Sequence, residues 1–146
     1  MPPARVLLAH DLTERSAPAT VAAQELAASL GSELAIVHVV PDKLVAEMRE
    51  RAPAEGAYTD MVLAELQTQL RRLIDDQLDG RDARIDELKV IRGEPASALV
   101  DYLNASPVEY VVLGVRSRSL VGKLLFGSVV QSVLLSGRCR ALTVPI

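Results

Sequence analysis

Short apolar runs alternate along the chain with longer stretches in which apolar residues recur at helical spacing. The run RVLLAH, residues 5–10, is almost continuously aliphatic, as a strand buried on both faces must be. A polar turn, DLTERSAP, leads into a helix. Ser16 takes its cap position, Pro18 falls in the first turn, and Ala17, Val21, Leu26 and Leu30 recur toward a terminating Gly31. ELAIVHVV, residues 33–40, reads as the second strand and stops at Pro41. Residues 42–60 are charged, include Pro53 and Gly56, and read as a variable connection with one short helical piece. A long amphipathic helix capped by Thr59 or Asp60 follows, with Leu63, Leu66, Leu70, Leu73, Ile74 and Gln77 on one face and Gly80 at its end. The third strand lies within ARIDELKVIRG, residues 83–93. The next helix opens near Pro95 and shows Ala98, Leu99, Tyr102 and Leu103 on one face. VEYVVLGV, residues 108–115, is the most apolar central run, a helix spans about Ser128 to Ser136, and ALTVPI closes the chain as a fifth strand.

Strands alternating with helices imply a parallel sheet covered on both faces. Right-handed crossovers leave few topologies. The expected fold is therefore a doubly wound α/β domain over residues 1–146, with a five-stranded parallel sheet in the order 3-2-1-4-5. Repeats, low-complexity runs and heptads are absent from the sequence, so no linker is expected.

Composition narrows the function. The chain has 146 residues, is 49% hydrophobic and has 3% aromatics with no Trp, so its core must be aliphatic. A net charge of −3 argues against nucleic-acid or membrane-surface partners. A lone Cys139 rules out an internal disulfide and reads as a small apolar residue beside the last strand, although Arg138 and Arg140 flank it. No segment approaches the roughly 20 apolar residues that span a bilayer, and the first residues lack signal-peptide flanks, so a cytoplasmic location is expected.

Positive charge is instead local. GVRSRSLVGKLLFGSVVQSVL, residues 114–134, sets Arg116, Arg118 and Lys123 before a helix that opens at Gly127-Ser128. In open α/β sheets, ligands bind beyond the strand carboxyl ends, where strand order reverses. The loop after the first strand, starting at Asp11, and the loop after the fourth, starting at Gly114, meet there if those strands are neighbours. The opening amides of the last helix have no intrahelical acceptor and favour an anion. Gly127 permits close approach, Ser128 offers a hydroxyl or a cap, and the arginines suit phosphate oxygens. This is neither a Walker A loop, since Lys123 is not next to Ser128, nor the dinucleotide glycine motif, which would follow the first strand. His10 and His38 read as satisfied core histidines, because no acidic or thiol cluster completes a metal site with them; a place lining the crevice is the alternative for His10.

Gly114-x-x-Ser117, nine residues, then Gly127-Ser128 resembles the phosphate motif of the universal stress protein family. The resemblance runs over nearly the whole chain: RVLLAHD is similar to that family's first strand ending in Asp, LAIVHVV to its second, RGEP to its Gly-x-Pro, and CRALTVPI to its final strand. It implies a stress-response protein that binds ATP or another adenine nucleotide, with Mg²⁺ on the phosphates. Asp11 would serve the ribose or phosphate–metal region, and Val39 would meet adenine through its backbone. Gly114 would border the ribose, while Ser117, Gly127, Ser128 and Val129, helped by Arg116, would hold phosphates. It also implies a homodimer through the final strand, where an apolar sheet edge invites pairing. Two positions depart from the family pattern. Ser117 replaces a glycine, and Leu12-Thr13 replaces Gly-Ser after the Asp.

No nucleophile–base pair stands out, so a sensor or regulator with little or no turnover is the leading expectation. Slow ATP hydrolysis and a nucleotide-free interaction protein are the alternatives. An adenylating enzyme would want a larger substrate domain. A phosphoacceptor receiver would need an acidic pair that AHDLTE does not supply.

Overall fold

A computed structural model describes residues 5–51, 58–116, 127–136 and 138–146, the side chains of Tyr58 and Thr59 aside. Five strands, β1 (Arg5–Ala9), β2 (Glu33–Val40), β3 (Ile85–Arg92), β4 (Tyr110–Val115) and β5 (Arg140–Pro145), form one sheet. All four strand pairings are parallel, and the spatial order is β3-β2-β1-β4-β5, as the alternation predicts. The helices are α1 (Ala17–Leu30), α2 (Asp42–Glu50), α3 (Tyr58–Gln77), α4 (Pro95–Ala105) and α5 (Ser128–Ser136). A single 3₁₀ turn at Glu14–Ser16 precedes α1.

The strand sequences are apolar at successive positions because each face of the sheet has its own core. Val6, Leu8, Leu34, Ile36 and Val112 pack with α1 and α3 on one face. Leu7, Ala35, Val37, Val111 and Leu113 pack with α4 and α5 on the other. The central strand residues Val6, Leu7 and Leu8 are completely shielded.

Helix α1 departs from the sequence expectation. Its buried face carries Ala19, Thr20, Ala23, Gln24 and Ala27. Val21 and Leu26 are only half-buried, and Leu30 is exposed. Small side chains let the helix axis approach the sheet closely, so the helix turns its alanines inward. Ser16 stands at the cap position, but its hydroxyl does not cap the helix. The C-terminus ends as expected: Gly31 takes the left-handed conformation at φ 61° and returns its N–H to Ala27 and Ala28.

On α3 the buried ladder is Val62, Leu66, Leu70 and Ile74, continued by Leu78 just past the helix, with Leu63 and Leu73 at its flanks. The third strand carries a bulge. Leu34 pairs with Ile85 and Ala35 with Glu87, which leaves Asp86 as the extra residue. Consecutive strand residues normally face opposite ways. The bulge brings Asp86 and Glu87 together on Arg5, at 3.1 and 2.9 Å. At α4, Glu94 caps the helix by accepting from the Ala96 and Ser97 amides.

Leu70 is fully shielded at the centre of the α1/α3 core. Leu70→Ala should destabilise the fold by about 2–5 kcal/mol, read as a lower urea midpoint with an unchanged slope.

Candidate functional site

Strand order reverses at β1, whose neighbours are β2 and β4. Chain leaving β1 turns to one face of the sheet and chain leaving β4 to the other, so a crevice opens between them. Two adjoining hollows occupy it. One, of about 360 Å³, has a mostly aliphatic lining that includes Val37, Val39, Pro41, Leu99, Leu113 and Val130. The other, of about 460 Å³, is bordered by Asp11, Arg116, Gly127, Ser128 and Ile146. Asp11, Gly114, Val129 and Val130 border both.

The structure therefore brings Asp11, Val39, Gly114, Arg116, Gly127, Ser128 and Val129 to one crevice. Ser117, Arg118 and Lys123 lie outside the described residues. Gly127 precedes the first turn of α5 and its carbonyl accepts from the Gln131 amide at 3.1 Å. The amides of Ser128, Val129 and Val130 have no intrahelical acceptor, and glycine has no side chain to take them. Ser128 is exposed as the first residue of α5. No heavy atom of the described residues lies within 4 Å of where a Cβ on Gly127 would stand.

Asp11 is fixed by its own turn. Its Oδ1 accepts from the Thr13 amide at 2.9 Å, the Thr13 hydroxyl at 2.7 Å and the Ser16 hydroxyl at 2.5 Å. Ser16, read from the sequence as a helix cap, serves the carboxylate instead. Burial alone would raise the Asp11 carboxyl pKa, but these hydrogen bonds outweigh it and hold it below the ordinary value. The second oxygen, Oδ2, faces Arg116 across the crevice at 3.7 Å. The pair is half-exposed, so it orients two groups more than it stabilises the fold. Leu12, next in the chain, sits at φ 64°. That is the left-handed region, which costs a non-glycine residue about 1–2 kcal/mol, so glycine would suit the position better than Leu12 does.

His10 matches its sequence reading as a satisfied core histidine, and His38 departs from it. His10 is buried, and backbone geometry defines its protonation: Leu12 N–H must donate, so His10 Nδ1 accepts at 2.9 Å. The proton then sits on Nε2, which donates to Gln77 Oε1 at 3.0 Å. His38 is only half-buried and borders the apolar hollow with His10. Its Nδ1 donates to the His10 carbonyl at 2.8 Å, which ties β2 to the end of β1. The spacing Asp11-x-Thr13-x-x-Ser16 is a legible signal for the turn, since Asx-type side chains bond their own backbone. No local pattern points to Gln77. Cys139 is half-buried against the α4/α5 core, and burial pushes its thiol pKa up in spite of the flanking arginines.

Burial lowers both imidazoles below the ordinary 6.5; for His10 the Gln77 hydrogen bond and the Asp11 charge oppose this without overcoming it. Below that value the unfolded chain takes up protons before the folded one does. Stability should therefore be level above about pH 6.5 and decline as the pH falls toward the lowered folded-state values. Urea midpoints at about pH 7.5 and about pH 5.5 check this, and His10→Gln with His38→Gln should flatten the difference.

Comparison with known proteins agrees with this architecture. The family model described as "Universal stress protein family" matches residues 3–145. A curated relative, the stress response protein NhaX of Bacillus subtilis (strain 168), is 23% identical over 158 residues, covering 88% of this chain and 90% of its own. A universal stress protein structure from Archaeoglobus fulgidus superposes with a TM-score of 0.66 at 23% identity, over 98% of both chains. A second structure from Archaeoglobus fulgidus, in complex with dAMP, gives a TM-score of 0.55 at 18% identity over 96% of this chain and 95% of its own. A family match running almost from end to end, over a sheet with this order and this crevice, places the chain in the universal stress protein family.

Proposed function

We propose that this protein binds an adenine nucleotide, ATP in the first instance, and acts as a homodimeric stress sensor or regulator with little or no turnover, in the cytoplasm. One observation carries the reading. An aliphatic hollow able to take a base runs directly into a second one bordered by Arg116 and Ser128 and able to take phosphates, with Asp11 and Gly114 at the junction. The base would lie in the aliphatic hollow against the Val39 backbone. The ribose would sit beside Asp11 and Gly114. The phosphates would take the amides opening α5 at Ser128 and Val129, together with Arg116. Gly127 suits this role because it has no Cβ to keep an anion from its backbone, and the space beside it is open among the described residues. Ser117 belongs to the same phosphate set by its place in the motif. The dAMP held by a relative is consistent with a nucleotide in this crevice.

Among the described residues no cluster of three or more His, Cys, Asp or Glu is placed to hold a metal. Mg²⁺ would therefore arrive on the phosphates. Sensing rather than rapid hydrolysis fits the groups at the rim. Both nitrogens of His10 are engaged within the fold, and Asp11 Oδ1 already accepts three hydrogen bonds. Slow hydrolysis would need only Mg²⁺ and an ordered water. A nucleotide-free interaction protein is the second reading, favoured by the left-handed Leu12 where family members place glycine.

Dimerisation through β5 has its own support. β5 is an edge strand, and Leu142 on it and Leu134 and Leu135 on α5 are exposed. Among the described residues no helix is long and apolar enough to cross a membrane.

Calorimetric titration with ATP·Mg²⁺ should give saturable binding, tight enough for cellular ATP if Kd is about millimolar or below. Gly127→Val should keep the fold and weaken binding at least about tenfold, equivalent to about 1.4 kcal/mol. A wild type that takes up no ATP would favour the interaction-protein reading. Phosphate release at several turnovers per second would displace the sensor reading. Light scattering should give twice the monomer mass, and Leu142→Arg should return it to monomer.

A further inference from the structure

The turn that presents Asp11 is held from a distant part of the chain. Gln77, the last residue of α3, lies 67 positions from His10 in sequence. Its Oε1 accepts from His10 Nε2 at 3.0 Å and from the Thr20 hydroxyl at 2.7 Å. Its Nε2 donates to the Thr13 carbonyl at 3.2 Å. One side-chain amide thus grips both ends of the turn 10–13, with Asp11 and the left-handed Leu12 between them.

We propose that Gln77 is the positioning residue for Asp11, setting the carboxylate at the rim of the nucleotide crevice by fixing the His10 tautomer and the Thr13 carbonyl together. The argument is one of donors and acceptors. Leu12 N–H needs an acceptor, and His10 Nδ1 is that acceptor only while the ring proton is on Nε2. The Gln77 oxygen gives the Nε2 proton its partner. Without it, the other tautomer sets a ring N–H against the Leu12 N–H and the turn loses its latch. Leu12 favours other backbone conformations and stays at positive φ only while its surroundings hold it there. Asp11 Oδ1 takes its partners from Thr13 and Ser16, so the carboxylate moves when Thr13 moves. Segment α2–α3 supplies none of the nucleotide-contacting residues, yet through Gln77 it governs one of them.

This inference rests on the adenine-nucleotide reading for its functional consequence, and two measurements separate the two. Gln77→Leu removes all three hydrogen bonds at nearly constant volume. Amide hydrogen exchange at Leu12 and Thr13 should quicken by about tenfold or more while Leu70 and Ile74 of the same helix keep their protection. The Kd for ATP·Mg²⁺ should rise about tenfold, and in an Asp11→Ala background the same substitution should change it less than about twofold. Gln77→Glu keeps an acceptor for His10 but loses the donor to Thr13, so it should fall between wild type and Gln77→Leu. It also carries the test if Gln77→Leu does not fold. Unchanged exchange at Leu12 and Thr13 overturns the proposal. So does an unchanged Kd, or a loss of affinity that persists in full without Asp11. If wild type takes up no ATP, the nucleotide reading fails and the exchange pattern alone decides whether Gln77 holds the turn.

Discussion

Pairing of β1 with β2 on one side and β4 on the other is the constraint from which the functional geometry follows. A parallel strand cannot reach its neighbour without a crossover, and crossovers are right-handed. Once β1 is central, the chain must leave its two halves on opposite faces of the sheet. The loop carrying Asp11 and the end of β4 carrying Gly114, with Arg116 just beyond it, are then brought to one rim, about a hundred residues apart in sequence. Neither loop makes a site alone. The first supplies an oriented carboxylate, and the second leads to a helix whose opening amides have no intrahelical acceptor. The pairing also explains why the middle strands are apolar over most of their length: the helices that form the crossovers cover both faces.

The rim is polar, yet it is built on a dry interior. His10 and Thr20 are almost wholly shielded from water, and each has hydrogen-bond partners within the fold. A buried polar group without a partner is costly, so such a network has few alternative arrangements. It transmits order from α1 and α3 to the backbone at Leu12, which would otherwise avoid its left-handed conformation. Charge plays a lesser part. Most of the ion pairs among the described residues have well-exposed partners, and solvent screens them. Arg5 with Asp86 and Glu87 is the better-shielded exception, and it needs a bulge to form.

Much was legible in the sequence because the signals are local. Strand RVLLA, the glycine stop at Gly31, the proline start at Pro95 and the Ser128–Ser136 helix all follow from short-range steric and hydrogen-bonding rules. The α1 face was misjudged for a physical reason. Hydrophobicity favours its valine and leucines, but close helix–sheet approach favours its alanines. Ser16 was misassigned because a serine before a helix has two possible partners, and Asp11 outcompetes the helix amides. The buried strand around His38 predicts a core position for it, yet it lies near the strand end where the crevice opens.

The sequence alone determined the succession of strands and helices, the aliphatic character of the two cores, and the glycine and serine that open α5. These depend on residues within a few positions of one another. Only the tertiary structure decided which ring nitrogen of His10 carries its proton, that Ser16 serves Asp11, and that Gln77 reaches across from α3. Those outcomes depend on which distant groups fold into hydrogen-bonding range, and no pattern of residues along a single element encodes that meeting.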